Sequence, residues 1–345
     1  MRHPDDSIAL ESVNSRSLFN TLVNHLRTST SLWPIWWRNL SWIKILTPLL
    51  LIGTYFLTLF LLGGLKSDHL TICFILMALI YSGPILKGIY DFIFPFFLTV
   101  VIYDSQRYYS DYLRGPIHVN EPYFFDRTFF GIHTEQGILT PNEWWQLHTH
   151  PVLDLITGFA YLVFFSVFIL NAAYFLFILG KKGTKQLSAA QLTQQARMMP
   201  WGFFWLNILG YSTYYWYAAA PPWYVAKYGL GPAQLGVAAS TAGCARFDEL
   251  LGTHFFSEMY GRSADVFGAI PSLHIAYPLL ATVFAFQFKR ARIFCFFFYL
   301  LMCFSAIYLN HHYVLDILWG STYALVIGLM MIWYASRGQF NEKDH

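Results

Sequence analysis

The sequence predicts an all-α polytopic membrane protein, and three observations lead to that fold class. Hydrophobic residues make up 56% of the 345 residues and charged residues only 12%, against roughly 25% charged in an ordinary soluble domain. Apolar stretches of about 17 to 25 residues, long enough to cross a bilayer, recur along the chain. Basic residues cluster in every second loop between these stretches.

Eight stretches are candidate spans, and the third is the weakest. Its interior contains Pro95 and its ends carry Asp91 and Asp104. This stretch is expected to cross the membrane or to be a broken, re-entrant element. If it forms a re-entrant hairpin with the second stretch, six spans remain. The candidates are 43–64, 69–86, 88–106, 153–180, 201–219, 272–288, 293–311 and 314–334.

The distribution of Lys and Arg predicts the orientation. Basic residues precede the first span, separate the second from the third, and follow the fourth, sixth and last spans. Cytoplasmic loops carry such an excess of basic residues, so both termini are predicted to be cytoplasmic with eight spans or with six. Representative basic residues are Arg38, Lys87, Lys182, Arg290 and Arg337.

Three segments are predicted along the chain. Residues 1–42 form a cytoplasmic or interfacial segment, in which Leu18, Leu22 and Leu26 recur at helical spacing. Residues 43–336 form the transmembrane domain, and 337–345 form a cytoplasmic tail.

One histidine and one histidine–aspartate pair lie where apolar stretches meet polar loops. His274 ends a Pro-Ser-Leu-His sequence, and His312 precedes Asp316 by four residues. A His and an Asp at this spacing share one helix face, so the carboxylate can accept a proton from one ring nitrogen and leave the other free to attack. The predicted topology brings all three side chains to the non-cytoplasmic face. Two imidazoles and an orienting acid are the groups that covalent phosphoryl transfer requires.

Arginines also occur on that face, where the positive-inside rule disfavours them. Guanidinium groups bind phosphate oxygens bidentately, so these arginines are candidate phosphate ligands. The alternative is that they pair with acidic residues on the same face. The candidates are Arg107, Arg114, Arg246 and Arg262, together with the hydroxyl of Ser272.

These sequences resemble a known family. Pro-Ser-x-His, followed later by a Ser and by His-x-x-x-Asp, resembles the second and third signatures of the type 2 phosphatidic acid phosphatase (PAP2) superfamily. Within it the chain is similar to the inositol phosphorylceramide synthase branch, through the sequences at 220–224, 242–248, 268–274 and 308–316. The family's first signature pairs a Lys with an Arg seven residues later; here Arg107 and Arg114 have that offset. Ala306 stands where the third signature has Arg, and Arg246 or Arg262 is expected to replace it.

The resemblance implies a PAP2-like transmembrane helix bundle. It implies transfer of phosphoinositol from phosphatidylinositol to the primary hydroxyl of ceramide, with release of diacylglycerol. His312 would carry the phosphoryl group, oriented by Asp316, and His274 would act as acid and base. The active site is expected in the Golgi lumen of a eukaryote or on the periplasmic side of a bacterial inner membrane.

Alternatives remain open at this point. The same residues suit a PAP2-type lipid phosphatase, a phosphotransferase with another head group or lipid acceptor, or a catalytically idle lipid-binding scaffold. No cofactor or nucleic-acid partner is expected, and no metal, since no carboxylate cluster has ligand spacing. His311 is expected to cap backbone groups, because its side chain points about 100° from that of His312 on an ideal helix. Trp223 and Tyr224 are interpreted as interfacial anchors, with substrate contact as the alternative.

Overall fold

The computed structural model describes residues 28, 30–62, 64–135, 137–261 and 266–341. The chain divides into two compact units, Met1–Phe94 and Pro95–His345. The predicted interfacial helix around residues 18–26 lies outside the described residues. The segment boundaries near 43 and 337 stay predictions.

The first unit contains helical residues 30–38, helix α1 (Trp42–Leu61), helix α2 (Ser67–Tyr81) and the start of helix α3 (Lys87–Ser105). The Ser41 side chain caps α1 by accepting a hydrogen bond from the Lys44 backbone N–H. The Tyr81 hydroxyl donates to the Ile45 carbonyl at 2.6 Å. Leu59 is the buried residue of α1, and most of the other side chains of this helix are exposed.

The second unit begins in α3, which runs unbroken through Pro95. The helix is therefore not broken at Pro95, which was one of the two alternatives for this stretch. A 3-10 turn (Gln106–Tyr108) and short elements follow: α4 (Ser110–Leu113), α5 (Asn120–Phe129), β1 (Ile132–Thr134), β2 (Gly137–Leu139) and α6 (Pro141–Leu147). The two strands pair antiparallel, with Ile132 opposite Leu139.

Long helices build the rest of this unit. Helix α7 (Pro151–Ala173) continues through a π-helix (Tyr174–Leu179) into a last turn (Gly180–Lys182), and α8 (Ala189–Trp216) follows. Four short elements come next: α9 (Pro222–Tyr228), a 3-10 turn (Ala242–Cys244), α10 (Ala245–Leu251) and α11 (Phe255–Tyr260). The chain ends with α12 (Leu273–Phe288), α13 (Arg292–Tyr308) and α14 (Val314–Asn341).

Helix α12 lies at the centre of the second unit. It packs against α7, α8, α13 and α14, and Ile275, Leu280 and Phe284 along it are fully buried. A helix that is apolar on all faces is stable only when neighbours surround it. The residues at its start are therefore held rigidly by four other helices.

Within the described residues, four helices are long and apolar enough to cross a membrane: Trp42–Leu61, Lys87–Tyr108, Pro151–Lys182 and Val314–Arg337. Three shorter apolar helices, His69–Tyr81, Leu273–Phe288 and Arg292–Tyr308, match three further predicted spans. The predicted span 201–219 overlaps α8, which ends at Trp216 and belongs to neither group. The predicted all-α membrane fold is confirmed, and the number of crossings stays a prediction.

Candidate active site

His274, His312 and Asp316 come together where α12 and α14 begin. His274 is the second residue of α12, and Asp316 lies in the first turn of α14. His312 lies in the loop before α14, so the expectation that it shares a helix with Asp316 is wrong. The contact forms because the loop folds back onto the helix start, where the Tyr313 N–H donates to Asp316 Oδ2 at 3.0 Å.

The hydrogen bonds of His312 select one tautomer. Its Nδ1 lies 3.1 Å from the Ala269 carbonyl oxygen and 3.2 Å from Asp316 Oδ2. A carbonyl oxygen can only accept, so Nδ1 carries the proton and Nε2 carries the lone pair. Burial lowers the pKa of His312 to about 4, which keeps the ring neutral at neutral pH. Nε2 therefore carries the lone pair that a nucleophile needs.

His274 faces that nucleophilic nitrogen. Its Nδ1 lies 3.1 Å from His312 Nε2. Tyr161 stacks on the His274 ring with centroids 4.9 Å apart, and Phe164 lies at 4.8 Å. Because the two nitrogens are in hydrogen-bond contact, a phosphoryl group that reaches Nε2 must separate the rings.

The two sequence signatures are joined through the backbone. The Ser272 N–H donates to the Asp316 carbonyl oxygen at 3.0 Å. Both side chains are fully buried, and Ser272 Oγ and Asp316 Oδ1 have no hydrogen-bond partner among the described residues. An unpaired buried polar atom costs about 1–3 kcal/mol. A ligand that supplies the missing partner would recover part of that cost.

Gly320 allows this close approach of α14 to the Ser272 backbone. A Cβ atom at Gly320 would lie 2.3 Å from the Ser272 carbonyl oxygen. A backbone atom cannot rotate away as a flexible side chain can, so only glycine fits at this position. Nothing in the sequence around residue 320 signals that requirement, because the atoms it avoids are remote along the chain.

Gly320→Ala is expected to push α14 away from Ser272 and to separate His312 from His274. A misplacement of about 1 Å in a catalytic group costs roughly 10²-fold in rate, so turnover should fall by about that factor. The measurement is turnover of the purified variant alongside its thermal unfolding. Gly53→Ala, where a Cβ meets nothing within 4 Å, is the matched control and should keep wild-type turnover. Wild-type activity in Gly320→Ala would contradict the importance of this contact.

Helix α6 holds the loop that carries His312. Asn142 Nδ2 donates to the carbonyl oxygens of Ile307 at 3.1 Å and His312 at 3.0 Å. Gln146 Nε2 donates to the Tyr308 carbonyl oxygen at 2.9 Å. Sequence analysis missed both residues, because their partners lie more than 160 positions away.

Asp126 caps the helix that carries Asp316, and it too was missed. Its carboxylate accepts from the backbone N–H groups of Val314 at 2.7 Å and Leu315 at 3.1 Å. A capping carboxylate satisfies donors that a helix start leaves unpaired. Burial raises the pKa of Asp126 to about 7, although these two N–H groups favour its charged form.

Among the described residues, the contacts of the predicted arginines are with groups other than the two histidines. Arg246 Nε donates to Asp154 Oδ1 at 2.6 Å, and its guanidinium lies over the Tyr308 ring at 5.2 Å. Arg107 pairs with the Asp104 carboxylate, and the guanidinium of Arg114 lies over the Phe267 ring at 5.4 Å. Arg262 lies outside the described residues. The phosphate-binding role of these arginines stays a prediction.

A cavity of about 770 Å³ opens beside His274 and His312. Its volume is in the range of lipid- and drug-sized ligand sites. Among the described residues that line it, none is Lys or Arg. Aromatic and aliphatic side chains predominate, including Phe164, Phe165 and Leu273. Such walls suit alkyl chains, and the histidines form a polar part of the wall.

Burial tests the sequence interpretation of two aromatic residues. Trp223 and Tyr224, interpreted as interfacial anchors, are 7% and 1% exposed and pack in a buried cluster with Phe267. Trp223 also lines the cavity. The anchor interpretation is therefore wrong.

In the described part of the chain, no three His, Cys, Asp or Glu side chains are grouped so that they could hold a metal ion.

Similarity to known proteins agrees with this geometry. Residues 134–330 match the family model described as PAP2 superfamily. The chain is 32% identical to phosphoinositol dihydroceramide synthase of Bacteroides thetaiotaomicron, over 82% of this chain and 90% of that protein. It is 30% identical to the inositol phosphorylceramide synthase catalytic subunit aur1 of Schizosaccharomyces pombe, over 73% of this chain and 56% of that protein. The corresponding Saccharomyces cerevisiae subunit AUR1 is 26% identical, over 68% and 54%. No solved structure matches the chain.

Apolar spans around an imidazole pair that lines a cavity with apolar walls, taken with these relatives, define the class of protein: an integral-membrane phosphotransferase. Family membership follows from the match to 134–330 and from the Bacteroides relative. The chain belongs to the PAP2 superfamily, as its Pro-Ser-x-His and His-x-x-x-Asp sequences predicted.

Proposed function

We propose that the protein transfers a phosphoinositol head group from phosphatidylinositol to the primary hydroxyl of ceramide and releases diacylglycerol. The observation that carries the proposal is the contact of His312 Nε2 with His274 Nδ1 at 3.1 Å, beside a cavity with apolar walls. The names of the relatives supply the head group and the acceptor.

The first half of the reaction forms a phosphohistidine. His312 Nε2 attacks the phosphorus of phosphatidylinositol, and the bond from phosphorus to the diacylglycerol oxygen breaks. The anionic phosphodiester favours the protonated form of His274 when it binds beside the ring, and His274 then gives this proton to the departing oxygen. Asp316 and the Ala269 carbonyl hold the proton on His312 Nδ1, so the charge that develops on the ring is stabilised.

The second half reverses these roles. Neutral His274 accepts the proton of the primary hydroxyl of ceramide, and the hydroxyl oxygen attacks the phosphorus. The bond between nitrogen and phosphorus breaks, which releases inositol phosphorylceramide and restores His312. Attack by water in this step would make the protein a lipid phosphatase instead.

Neutral donors at the start of α12 suit the phosphoryl oxygens. The first N–H groups of a helix have no partner within the helix and favour anions. Ser272, the residue that precedes α12, adds a hydroxyl with no partner among the described residues. A guanidinium from Arg107, Arg114, Arg246 or Arg262 stays the predicted charged donor.

The test supplies phosphatidylinositol labelled in the inositol ring, with and without ceramide, to the purified protein in mixed micelles. Labelled inositol phosphorylceramide and an equal amount of diacylglycerol are expected only when ceramide is present. Release of free inositol phosphate in both conditions would favour the phosphatase. Product from phosphatidylcholine or phosphatidylglycerol, but not from phosphatidylinositol, would overturn the head-group assignment.

The active site is proposed to lie on the non-cytoplasmic face of the membrane. The support is the excess of Lys and Arg in alternate loops, which assigns the loop at 183–188 to the cytoplasm. Cysteines introduced separately at Thr184 and Glu135 are expected to react with an impermeant reagent from opposite sides, Thr184 from the cytoplasm. The unmodified chain measures background labelling of the native cysteines. Labelling of both positions from one side would overturn the assignment.

A further inference from the structure

His311 is held rigidly beside the two histidines described above. Its ring lies between Tyr161, at a centroid distance of 5.4 Å, and Tyr260, at 4.9 Å, and is nearly parallel to both. Its Nε2 lies 3.1 Å from the Thr241 carbonyl oxygen and 3.3 Å from Cys244 Sγ. The capping contact expected from the sequence is therefore present, but it occupies only one ring nitrogen.

The other nitrogen is left as an acceptor. The Thr241 carbonyl can only accept, so Nε2 carries the proton and Nδ1 carries the lone pair. Burial lowers the pKa of His311 well below its usual value, so the ring is neutral. Nδ1 has no hydrogen-bond partner among the described residues, and His311 lines the cavity. The mechanism proposed above makes no use of it.

Two further polar side chains line the cavity on segments that contact His311. Ser240 precedes Thr241, whose carbonyl holds the ring, and Glu258 lies two residues before Tyr260, which stacks on it. Ser240 Oγ accepts from the Ala242 N–H at 3.0 Å, so its own proton is free to be donated. The cluster, defined as the three cavity-lining residues His311, Ser240 and Glu258, thus combines a neutral acceptor, a hydroxyl and a carboxylate.

This chemistry selects a ligand rich in hydroxyl groups. A lone pair and a carboxylate repel phosphate oxygens but accept hydrogen bonds from hydroxyls. A quaternary ammonium group could use the carboxylate and the aromatic faces, but it has no proton to give to His311 Nδ1. A polyol ring uses every member of the cluster.

We propose that His311, Ser240 and Glu258 form the subsite that binds the cyclitol hydroxyls of the donor head group, with His311 Nδ1 accepting from one of them. The inference rests on the proposed function and deepens it, since it assigns head-group selection to residues separate from the phosphoryl-transfer groups. It makes His311 a binding residue in the donor complex.

The test compares donors and variants in the same transfer assay. In His311→Phe, which keeps an aromatic ring in the stack, loss of one hydrogen bond is expected to raise KM for phosphatidylinositol about tenfold. The kcat value and the KM for ceramide should stay close to wild type. Ser240→Ala and Glu258→Gln, at more accessible positions, should each raise the same KM about threefold. Inhibition by soluble inositol 1-phosphate should weaken in the same proportion.

The matched control is Ser257→Ala, a hydroxyl deletion on α11 outside the cavity lining, which should leave every constant unchanged. Equal losses with phosphatidylinositol and phosphatidylcholine, or a fall in kcat with KM unchanged, would overturn the subsite while leaving the proposed function intact. A wild-type protein that rejects phosphatidylinositol and ignores inositol 1-phosphate would overturn both.

Discussion

Replacing His312 with alanine is expected to abolish head-group transfer, and Asp316→Asn is expected to reduce it by about 10⁴-fold. Alanine removes the nitrogen that attacks phosphorus. Asparagine keeps the shape of the buried side chain but can present an amide N–H to His312 Nδ1, which favours the tautomer with the proton on the wrong nitrogen. Transfer from phosphatidylinositol to ceramide measures both effects.

A direct measurement is rapid quench of the wild type with head-group-labelled donor. A protein adduct that is labile in acid and stable in base is expected, and it should be absent from His312→Ala. Vanadate, which mimics the five-coordinate phosphoryl group, should inhibit transfer, whereas chelators should not. Inverted instead of retained configuration at phosphorus would replace the two-step mechanism with direct attack by the acceptor.

Replacing His274 with alanine is expected to lower transfer by about 10²- to 10⁴-fold, the usual contribution of a general acid and base. The residual activity should depend on the leaving group. A donor whose departing alcohol is more acidic than diacylglycerol needs less protonation. The rate of its first step should therefore be reduced less by His274→Ala than the rate with phosphatidylinositol. Single-turnover formation of the phosphohistidine, compared between the two donors, measures that recovery.

His312→Ala is the control for the leaving-group effect, since no leaving group can restore a missing nucleophile. The same relative loss with both donors in His274→Ala would contradict the acid role. His274 would then serve mainly to position His312 through their hydrogen bond of 3.1 Å.

Local sequence predicted the three central residues well. His274 follows directly from Pro-Ser-Leu-His, and His312 and Asp316 are four positions apart, so each signature is complete within one short segment. That His312 lies in a loop instead of on α14 could not be predicted, because helix boundaries depend on caps such as Asp126, far away in sequence.

The arginines show where the sequence was insufficient. Arg246 had two open interpretations, a phosphate ligand or a partner for an acidic residue. Its contact with Asp154 spans 92 positions, and no local pattern selects one carboxylate among several. An arginine on the face where the positive-inside rule disfavours basic residues is expected to have a role. Its position in the sequence does not identify the group that it contacts.

The sequence by itself determined the class of fold, the family and the identity of the reacting side chains. Hydrophobic composition and span length are properties of contiguous segments, and a bilayer imposes helical structure on them because backbone groups must be paired within each span. Tertiary structure decided how those side chains are held. The approach of Gly320 to Ser272, the hydrogen bonds from Asn142 to the His312 loop, and the acceptor nitrogen of His311 each depend on atoms brought together from segments far apart in sequence. Such contacts are set by the close packing of one helix against another, where a change of one carbon atom matters.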